Sequence, residues 1–154
     1  MAKTLTIIAG NKLYVRSDKG ISEIDLIKAA YLLYHNKAIA IDENGKNISL
    51  RDLFMRYGDK EEWWILFSVF TDLAKRGFKV EKGYSSRDLI ALKGDKKYRI
   101  FVTEEGMKIK LSYLYTWIEG TQVKDLDVLI AVVDMYGDIT YYQVFPYTFQ
   151  KQLK

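Results

Sequence analysis

The chain has 154 residues, of which 24 are Lys or Arg, 20 are Asp or Glu and one is His, and it has no Cys. An apolar fraction of 49% excludes a disordered chain, and the missing Cys excludes disulfides, thiolate zinc sites and thiol nucleophiles. A single His argues against most metal sites and catalytic triads. The net charge of +4 suits a polyanionic partner without identifying one.

Two further features of the composition bear on where the protein works. Lys outnumbers Arg eighteen to six, and a chain rich in Lys and Glu without Cys leans towards a thermophile. Residues 1–15 are too interrupted for a signal peptide, and no apolar run approaches the roughly 20 residues that span a bilayer. We therefore expect a cytoplasmic protein.

Residues 1–58 predict a small N-terminal α+β domain. Two strands, a helix, a third strand and a second helix are predicted, in that order, at 4–8, 13–15, 22–34, 38–41 and 50–57. Ser22 and Ser49 are the expected helix caps, and Gly58 ends the second helix. The strand at 38–41 carries little polarity, which is typical of a short buried strand.

Residues 59–154 predict a C-terminal α/β domain with a mixed sheet. A helix, three strands, a second helix and two more strands are predicted at 60–76, 78–80, 89–92, 98–102, 111–121, 128–133 and 139–145. The nearly continuous apolar run 128–133 is typical of a strand buried on both faces. Residues 134–138 form a hairpin loop. The fold class is therefore predicted to be α+β.

Most of the sequence motifs that would indicate a specific chemistry are absent from the chain. Neither GxxxxGKS/T nor GxGxxG is present, so nothing specifically binds a nucleotide phosphate. His35 follows the first helix without a partner in the sequence, and we interpret it as a helix-terminal residue favoured by the dipole. Asp88 with the lysines after it is weakly similar to metal-dependent nucleases, but the strand 98–102 lacks the second carboxylate. We expect no metal and no cofactor.

A cluster of cations is a candidate RNA contact. Its members are Lys93, Lys96, Lys97 and Arg99, with Lys124 as a further candidate. Such a patch suits RNA phosphates, and a solvated hairpin end explains it as well.

The aromatic C-terminal segment predicts a strand with two apolar faces. Tyr141, Gln143 and Phe145 would share one face, and Tyr142 and Val144 the other. One face can pack on the domain's own core. The other must be covered by a helix of the chain or by a partner subunit, and the residues leave both interpretations open.

Three stretches, in order along the chain, resemble the tRNA-intron (splicing) endonuclease family. Residues 70–83 read F-T-D-L-A-K-R-G-F-K-V-E-K-G, similar to the family's D-L-x-x-R-G-Y/F-x-V-x-x-G after an aromatic helix end. Residues 131–142 read A-V-V-D-M-Y-G-D-I-T-Y-Y, similar to A-V-V-D-x-x-G-D-x-T-Y-Y. A looser match lies at 30–33 and 37–39. The ordered set spans about residues 22–145 and is fairly specific.

The resemblance implies a mixed N-terminal domain and a C-terminal domain that carries a nuclease site. It implies intron excision at a bulge-helix-bulge RNA without metal, in which the ribose 2′-OH attacks the adjacent phosphate. The products are a 2′,3′-cyclic phosphate and a 5′-OH. A Tyr, a His and a Lys supply a general base, a general acid and a cation that stabilises the transition state.

This chain departs from the family at the catalytic positions. The family Tyr falls on Leu92, the family His on Asp95, and the family Lys on Leu126, or on Lys124 after a two-residue slip. Residues 59–154 contain no His. No Arg follows Arg99, so the Arg pair with which the family holds a flipped bulge base is missing as well.

We therefore interpret the chain as the non-catalytic, structural subunit of a heteromeric tRNA-splicing endonuclease. The family assembles as tetramers, and some archaeal members combine two catalytic and two structural chains. The implied partners are a catalytic homologous subunit and, through the complex, precursor tRNA. Two alternatives are a stand-alone RNA-binding or interaction protein that kept the fold, and an active endoribonuclease with relocated catalytic residues.

The resemblance also implies two subunit contacts. C-terminal strands pair across a dimer axis, which implies an interface at Tyr141, Tyr142, Phe145, Tyr147 and Phe149. The acidic hairpin loop inserts into a basic groove of an opposing subunit, and here that loop contains Asp134, Gly137 and Asp138. For the two Asp residues, ordinary turn chemistry is the local alternative.

Overall fold

The computed structural model describes residues 4–58, 63–85, 87–123 and 125–145. Over these ranges the chain forms four helices and nine strands in two mixed sheets, which confirms the α+β class. It divides into two compact units, Met1–Arg76 and Gly77–Lys154. No helix within the described ranges is long and apolar enough to cross a membrane.

The first unit is a four-stranded sheet with three helices. Its elements are β1 (Leu5–Ala9), β2 (Leu13–Ser17), β3 (Gly20–Glu23), α1 (Leu26–Tyr34), β4 (Ala38–Asp42), α2 (Leu50–Tyr57) and α3 (Trp63–Lys75). The strand order is β3-β2-β1-β4. Among these described strands, β1 and β4 form the one parallel pair, and β1–β2 and β2–β3 are antiparallel. Strands β1 and β3 therefore run in the same direction, and α1 returns the chain from the end of β3 so that β4 runs that way as well. Ile7, Ala29 and Leu53 are fully buried at the centre of its core.

The caps of the first two helices differ in how well they were predicted. Ser22 does not cap α1, because it pairs with Val15 in β3, a strand that the sequence analysis did not predict. The cap is Asp25, whose side chain accepts from the backbone N–H of Lys28 at 2.9 Å. Ser49 caps α2 as predicted, in a reciprocal capping box with Asp52.

The side chains of strand β4 differ in exposure between its two faces. Ala38 and Ala40 are buried, whereas the Ile39 side chain between them is 52% exposed. The prediction of a short buried strand is therefore wrong for Ile39, since a run of apolar residues does not reveal which face is left uncovered.

Helix α3 belongs to the first unit by its packing. The ring of Phe70 lies 5.3 Å from Tyr31 on α1, and the ring of Trp63 stacks on Phe54 of α2 at 3.3 Å. The compact units therefore divide after Arg76. The predicted domain boundary between residues 58 and 59 stays a prediction.

The second unit is a five-stranded sheet with one helix among its described residues. Its elements are β5 (Lys79–Lys82), β6 (Asp88–Lys93), β7 (Lys96–Glu104), α4 (Leu111–Val123), β8 (Asp127–Val133) and β9 (Ile139–Val144). The strand order follows the chain, and β7 and β8 are parallel because α4 forms the crossover between them. Phe101, Trp117 and Val128 form a buried cluster between α4 and the sheet.

Candidate active-site end of the second sheet and its assembly surfaces

The strand register brings the three family catalytic positions to one end of the second sheet. Leu92 on β6 lies opposite Lys97 on β7. The next residue, Tyr98, lies opposite Asp127 at the start of β8, directly after Leu126. Asp95 occupies the turn between β6 and β7. The positions at which the resemblance implies catalysis therefore lie close together along one edge.

The side chains at this end do not form the implied catalytic set. Leu92 and Leu126 are half-buried and carry no group that can accept or donate a proton. Asp95 is exposed in the hairpin turn. Lys124, the alternative position for the family Lys, lies outside the described residues. Tyr98, which the sequence analysis did not single out, is half-buried at this end, with its ring 6.0 Å from Phe78.

The predicted basic patch contains three exposed lysines at the β6–β7 turn. Lys93, Lys96 and Lys97 are exposed, and the Nζ atom of Lys93 lies 5.3 Å from the centre of the Phe78 ring. Arg99 is different, because it is 7% exposed and lies two residues further along β7 beneath Trp117. The structure therefore removes Arg99 from the surface patch.

Arg99 and Asp88 form a buried ion pair. The Nε atom of Arg99 donates to Oδ2 of Asp88, and Nη1 donates to Oγ1 of Thr121 at 3.0 Å. The other carboxylate oxygen of Asp88 accepts from the backbone N–H and the hydroxyl of Ser85 at 2.6 and 2.7 Å. Asp88 is therefore a structural residue, and no group of three or more metal-binding side chains is found in the described part of the chain.

His35 lies where the sequence analysis placed it. It is the C-cap of α1, and its backbone N–H donates to the carbonyl oxygen of Tyr31 at 3.1 Å. Its ring lies 4.5 Å from the ring of Tyr31. These contacts give His35 a packing role at the end of the helix.

The β8–β9 loop is held by Asp134. Its Oδ1 atom accepts from the backbone N–H groups of Tyr136 and Asp138, both at 2.9 Å, and Gly137 has a φ of +85°. Turn chemistry therefore accounts for Asp134, while Asp138 is exposed. The interface role of Asp134, Gly137 and Asp138 stays a prediction.

Two residues of this loop were missed in the sequence analysis. Met135 and Tyr136 are 81% and 82% exposed at its tip. Their exposure could have been predicted from the sequence, because two large apolar side chains stand in the middle of a five-residue turn. Their exposure adds an apolar element to an otherwise acidic loop.

Strand β9 is an edge strand with partly exposed aromatic side chains. Tyr142 and Val144 pair with Ile130 and Val128 on the α4 side of the sheet, and Tyr141 lies on the other side, as predicted. Tyr142 remains 56% exposed, and Phe145, just after the strand, 70%. Within the described ranges, β9 is paired on one side only. Tyr147 and Phe149 lie outside the described residues.

No family model matches the chain. Three curated proteins named tRNA-splicing endonuclease are similar to it. The protein of Methanococcoides burtonii is 29% identical over an alignment of 148 residues, and the match covers 92% of this chain and 42% of that protein. Those of Thermococcus onnurineus and Methanosarcina acetivorans are 26% and 25% identical, each over 79% of this chain and over 74% and 36% of their own lengths.

The chain thus spans less than half of the first and third of these relatives and about three quarters of the second. In each case the similarity covers most of the chain. The chain is therefore similar, over most of its length, to proteins named tRNA-splicing endonuclease.

Proposed function

We propose that the chain is the non-catalytic, structural subunit of a heteromeric tRNA-splicing endonuclease. The holoenzyme would excise introns at bulge-helix-bulge RNA in the cytoplasm. The observation that carries the proposal is that one end of the second sheet brings together Leu92, Asp95 and Leu126. The resemblance places the family catalytic positions on these residues, with Lys124 as the alternative to Leu126.

The chemistry explains why this end is unsuited to catalysis. Attack by a ribose 2′-OH needs a group that removes its proton and another that protonates the leaving 5′ oxygen, and each such group typically contributes about 10²–10⁴-fold in rate. The leucines supply neither group, and the single carboxyl group of Asp95 cannot act as base and acid in the same step. Lys93, Lys96 and Lys97 are exposed. Their ammonium groups have no lone pair, so they can donate hydrogen bonds but cannot accept the proton of the 2′-OH. They suit phosphate binding, so this end would contribute to substrate binding.

The elements expected to mediate assembly are well formed in the same unit. An edge strand offers backbone N–H and C=O groups to which a second strand can add, and β9 lies at the edge of the sheet among the described strands. Tyr142 and Phe145 would add apolar contacts beside it, and Asp138 would meet a basic groove of the opposing subunit. These features support a heterotetramer with a catalytic homologous subunit.

The test is a paired cleavage assay on a bulge-helix-bulge RNA. The chain is incubated alone and with the catalytic homologue from the same genome, and the mixture is analysed by size-exclusion chromatography. We expect cleavage only in the mixture, with co-elution at tetramer mass. A mixture in which the partner's catalytic Tyr is replaced by Phe should assemble and remain inactive.

Two results would overturn the proposal. Cleavage by this chain alone would support an endoribonuclease with relocated catalytic residues. RNA binding without co-elution would support a stand-alone RNA-binding protein.

A further inference from the structure

A small cavity lies in the second unit at the end of the sheet opposite to Leu92 and Asp95. Its volume is about 240 Å³, and its lining includes Arg87, Phe101, Met107, Lys108, Lys110 and Tyr113. Arg87 precedes β6, and Tyr113 lies in the first turn of α4. Phe101 is four residues from Lys97 along β7, or roughly 13 Å at ~3.3 Å per residue. The cavity is therefore separate from the basic patch at the β6–β7 turn.

The charged side chains that line this cavity are all cationic. Arg87, Lys108 and Lys110 line it, and no carboxylate is among the lining residues within the described part of the chain. Lys108 and Lys110 are exposed, so their ammonium groups can reach a ligand at the mouth. Arg87 is half-buried, and its Nη1 atom donates to Sδ of Met107 at 3.0 Å. Such a cation set favours an anionic ligand.

The same cavity has an aromatic wall. Phe101 is 1% exposed, and its ring meets that of Tyr113 at 6.1 Å with an interplanar angle of 62°. Tyr113 is 47% exposed, so part of its ring remains accessible. An accessible aromatic ring stacks with a nucleobase of any sequence, because every base has a π-face. The aromatic wall adds a planar group to the anionic ligand that the lysines favour.

We propose that this cavity binds one nucleotide of single-stranded RNA. The base would stack on Tyr113, and the flanking phosphates would contact Lys108 and Lys110. A volume of about 240 Å³ is below the roughly 300–1,000 Å³ of sites for drug-sized ligands, so the cavity would hold the base, with the phosphates at its mouth. The identity of the RNA as a splicing substrate rests on the function proposed above, whereas binding at this cavity does not.

The test is binding of a fluorescent single-stranded oligoadenylate of about ten nucleotides to the full chain, followed by fluorescence anisotropy at several salt concentrations. We expect the double variant Lys108→Ala/Lys110→Ala to bind more weakly. The slope of log K against log salt should also become shallower by up to about 1.4, because two phosphate contacts are lost and each contributes ~0.7 on a single strand. Tyr113→Leu should weaken binding at least about fivefold with an unchanged salt slope, whereas Tyr113→Phe should retain the affinity.

The matched control removes two exposed lysines from the first unit, as Lys19→Ala/Lys28→Ala. An equal loss of affinity and slope in this control would overturn the proposal, because binding would then depend on net charge alone. Unchanged binding in Tyr113→Leu would overturn it as well. Equally tight binding of adenosine monophosphate would overturn the RNA assignment. Thermal unfolding checks that every variant is folded.

The same variants separate this inference from the proposed function. Co-elution with the catalytic homologue tests assembly, and Lys108→Ala/Lys110→Ala should not change it. A chain that assembles but binds RNA equally well with and without these lysines would contradict only the cavity assignment. A chain that fails to assemble but loses RNA affinity in the variants would contradict only the subunit assignment.

Discussion

The Nε atom of Arg99 donates to the carboxylate of Asp88, and the two side chains are 8% and 0% exposed. Arg99 also lies with its guanidinium carbon 4.5 Å from the centre of the Trp117 ring. Arg99, which the sequence grouped with candidate RNA-contacting lysines, is thus part of the interior of the second unit. Its contacts link β6, β7 and α4, the elements that hold the family catalytic positions in place.

Removing one partner of this pair should strongly destabilise the second unit. Asp88→Ala should lower the free energy of unfolding by about 3–5 kcal/mol, because it leaves a buried guanidinium without its counter-charge. Urea denaturation measures the change. Glu23→Ala is the matched control, since the Lys12–Glu23 pair is exposed, and it should cost less than ~1 kcal/mol. Similar losses in the two variants would contradict the structural role of Asp88.

Two glycines of the second unit should respond in opposite ways to Ala. A Cβ atom at Gly83 would overlap the carboxyl group of Asp88, so Gly83→Ala should cost about 1–3 kcal/mol. A Cβ atom at Gly120 in α4 meets nothing within 4 Å, so Gly120→Ala should stabilise by about 0.5–1 kcal/mol. Thermal unfolding of the two variants measures both signs, and a neutral Gly83→Ala would contradict the close packing at Asp88.

Asp134 and Asp138 should have separable roles. Asp134→Asn keeps an oxygen that can accept from the N–H groups of Tyr136 and Asp138, so the loop should persist, whereas Asp134→Ala removes that acceptor. We expect only Asp134→Ala to lower stability, by about 1 kcal/mol. Asp138→Asn should leave stability unchanged and weaken co-elution with the catalytic homologue. Equal assembly by Asp138→Asn and the unmodified chain would exclude a charge contact.

The aromatic edge of the second sheet should be needed for assembly and not for folding. Phe145 is 70% exposed, so Phe145→Asp should leave the melting temperature unchanged and prevent co-elution with the partner. Ile21→Asp is the control, because Ile21 is 62% exposed on β3, the edge strand of the other sheet. If both variants co-elute normally, the interface does not include Phe145.

The capping box of α2 should make stability depend on pH in acid. The backbone N–H and then the side chain of Ser49 hold the pKa of Asp52 below its ordinary 3.8. A lowered folded-state pKa contributes stability that is present above 3.8 and is lost as the pH falls through the folded value. Asp52→Asn should therefore lower the urea midpoint at neutral pH and differ less from the unmodified chain below pH 3.8. A constant difference would contradict this linkage.

The sequence by itself determined the features that depend on local rules. Hydrophobic periodicity located the four helices, and the Ser49 cap followed from the side-chain chemistry that helix N-termini need. The alternation of Tyr141 and Tyr142 across β9 followed from the two-residue period of a strand. The ordered motifs predicted the similarity to tRNA-splicing endonucleases, because these motifs contain residues of turns and strand cores.

The tertiary structure decided everything that depends on which surface is covered. Lys97 and Arg99 are two residues apart and therefore lie on the same face of β7. Lys97 is nevertheless exposed near the end of the strand, whereas Arg99 is buried under Trp117. The predictions that Ile39 is buried and that Ser22 caps a helix were wrong for a related reason. Strand pairing and the uncovered face of a sheet are set by segments that are distant in sequence. The cavity beside Tyr113 depends on three segments that are separate in sequence, because burial and charge are properties of the folded surface and not of neighbouring residues.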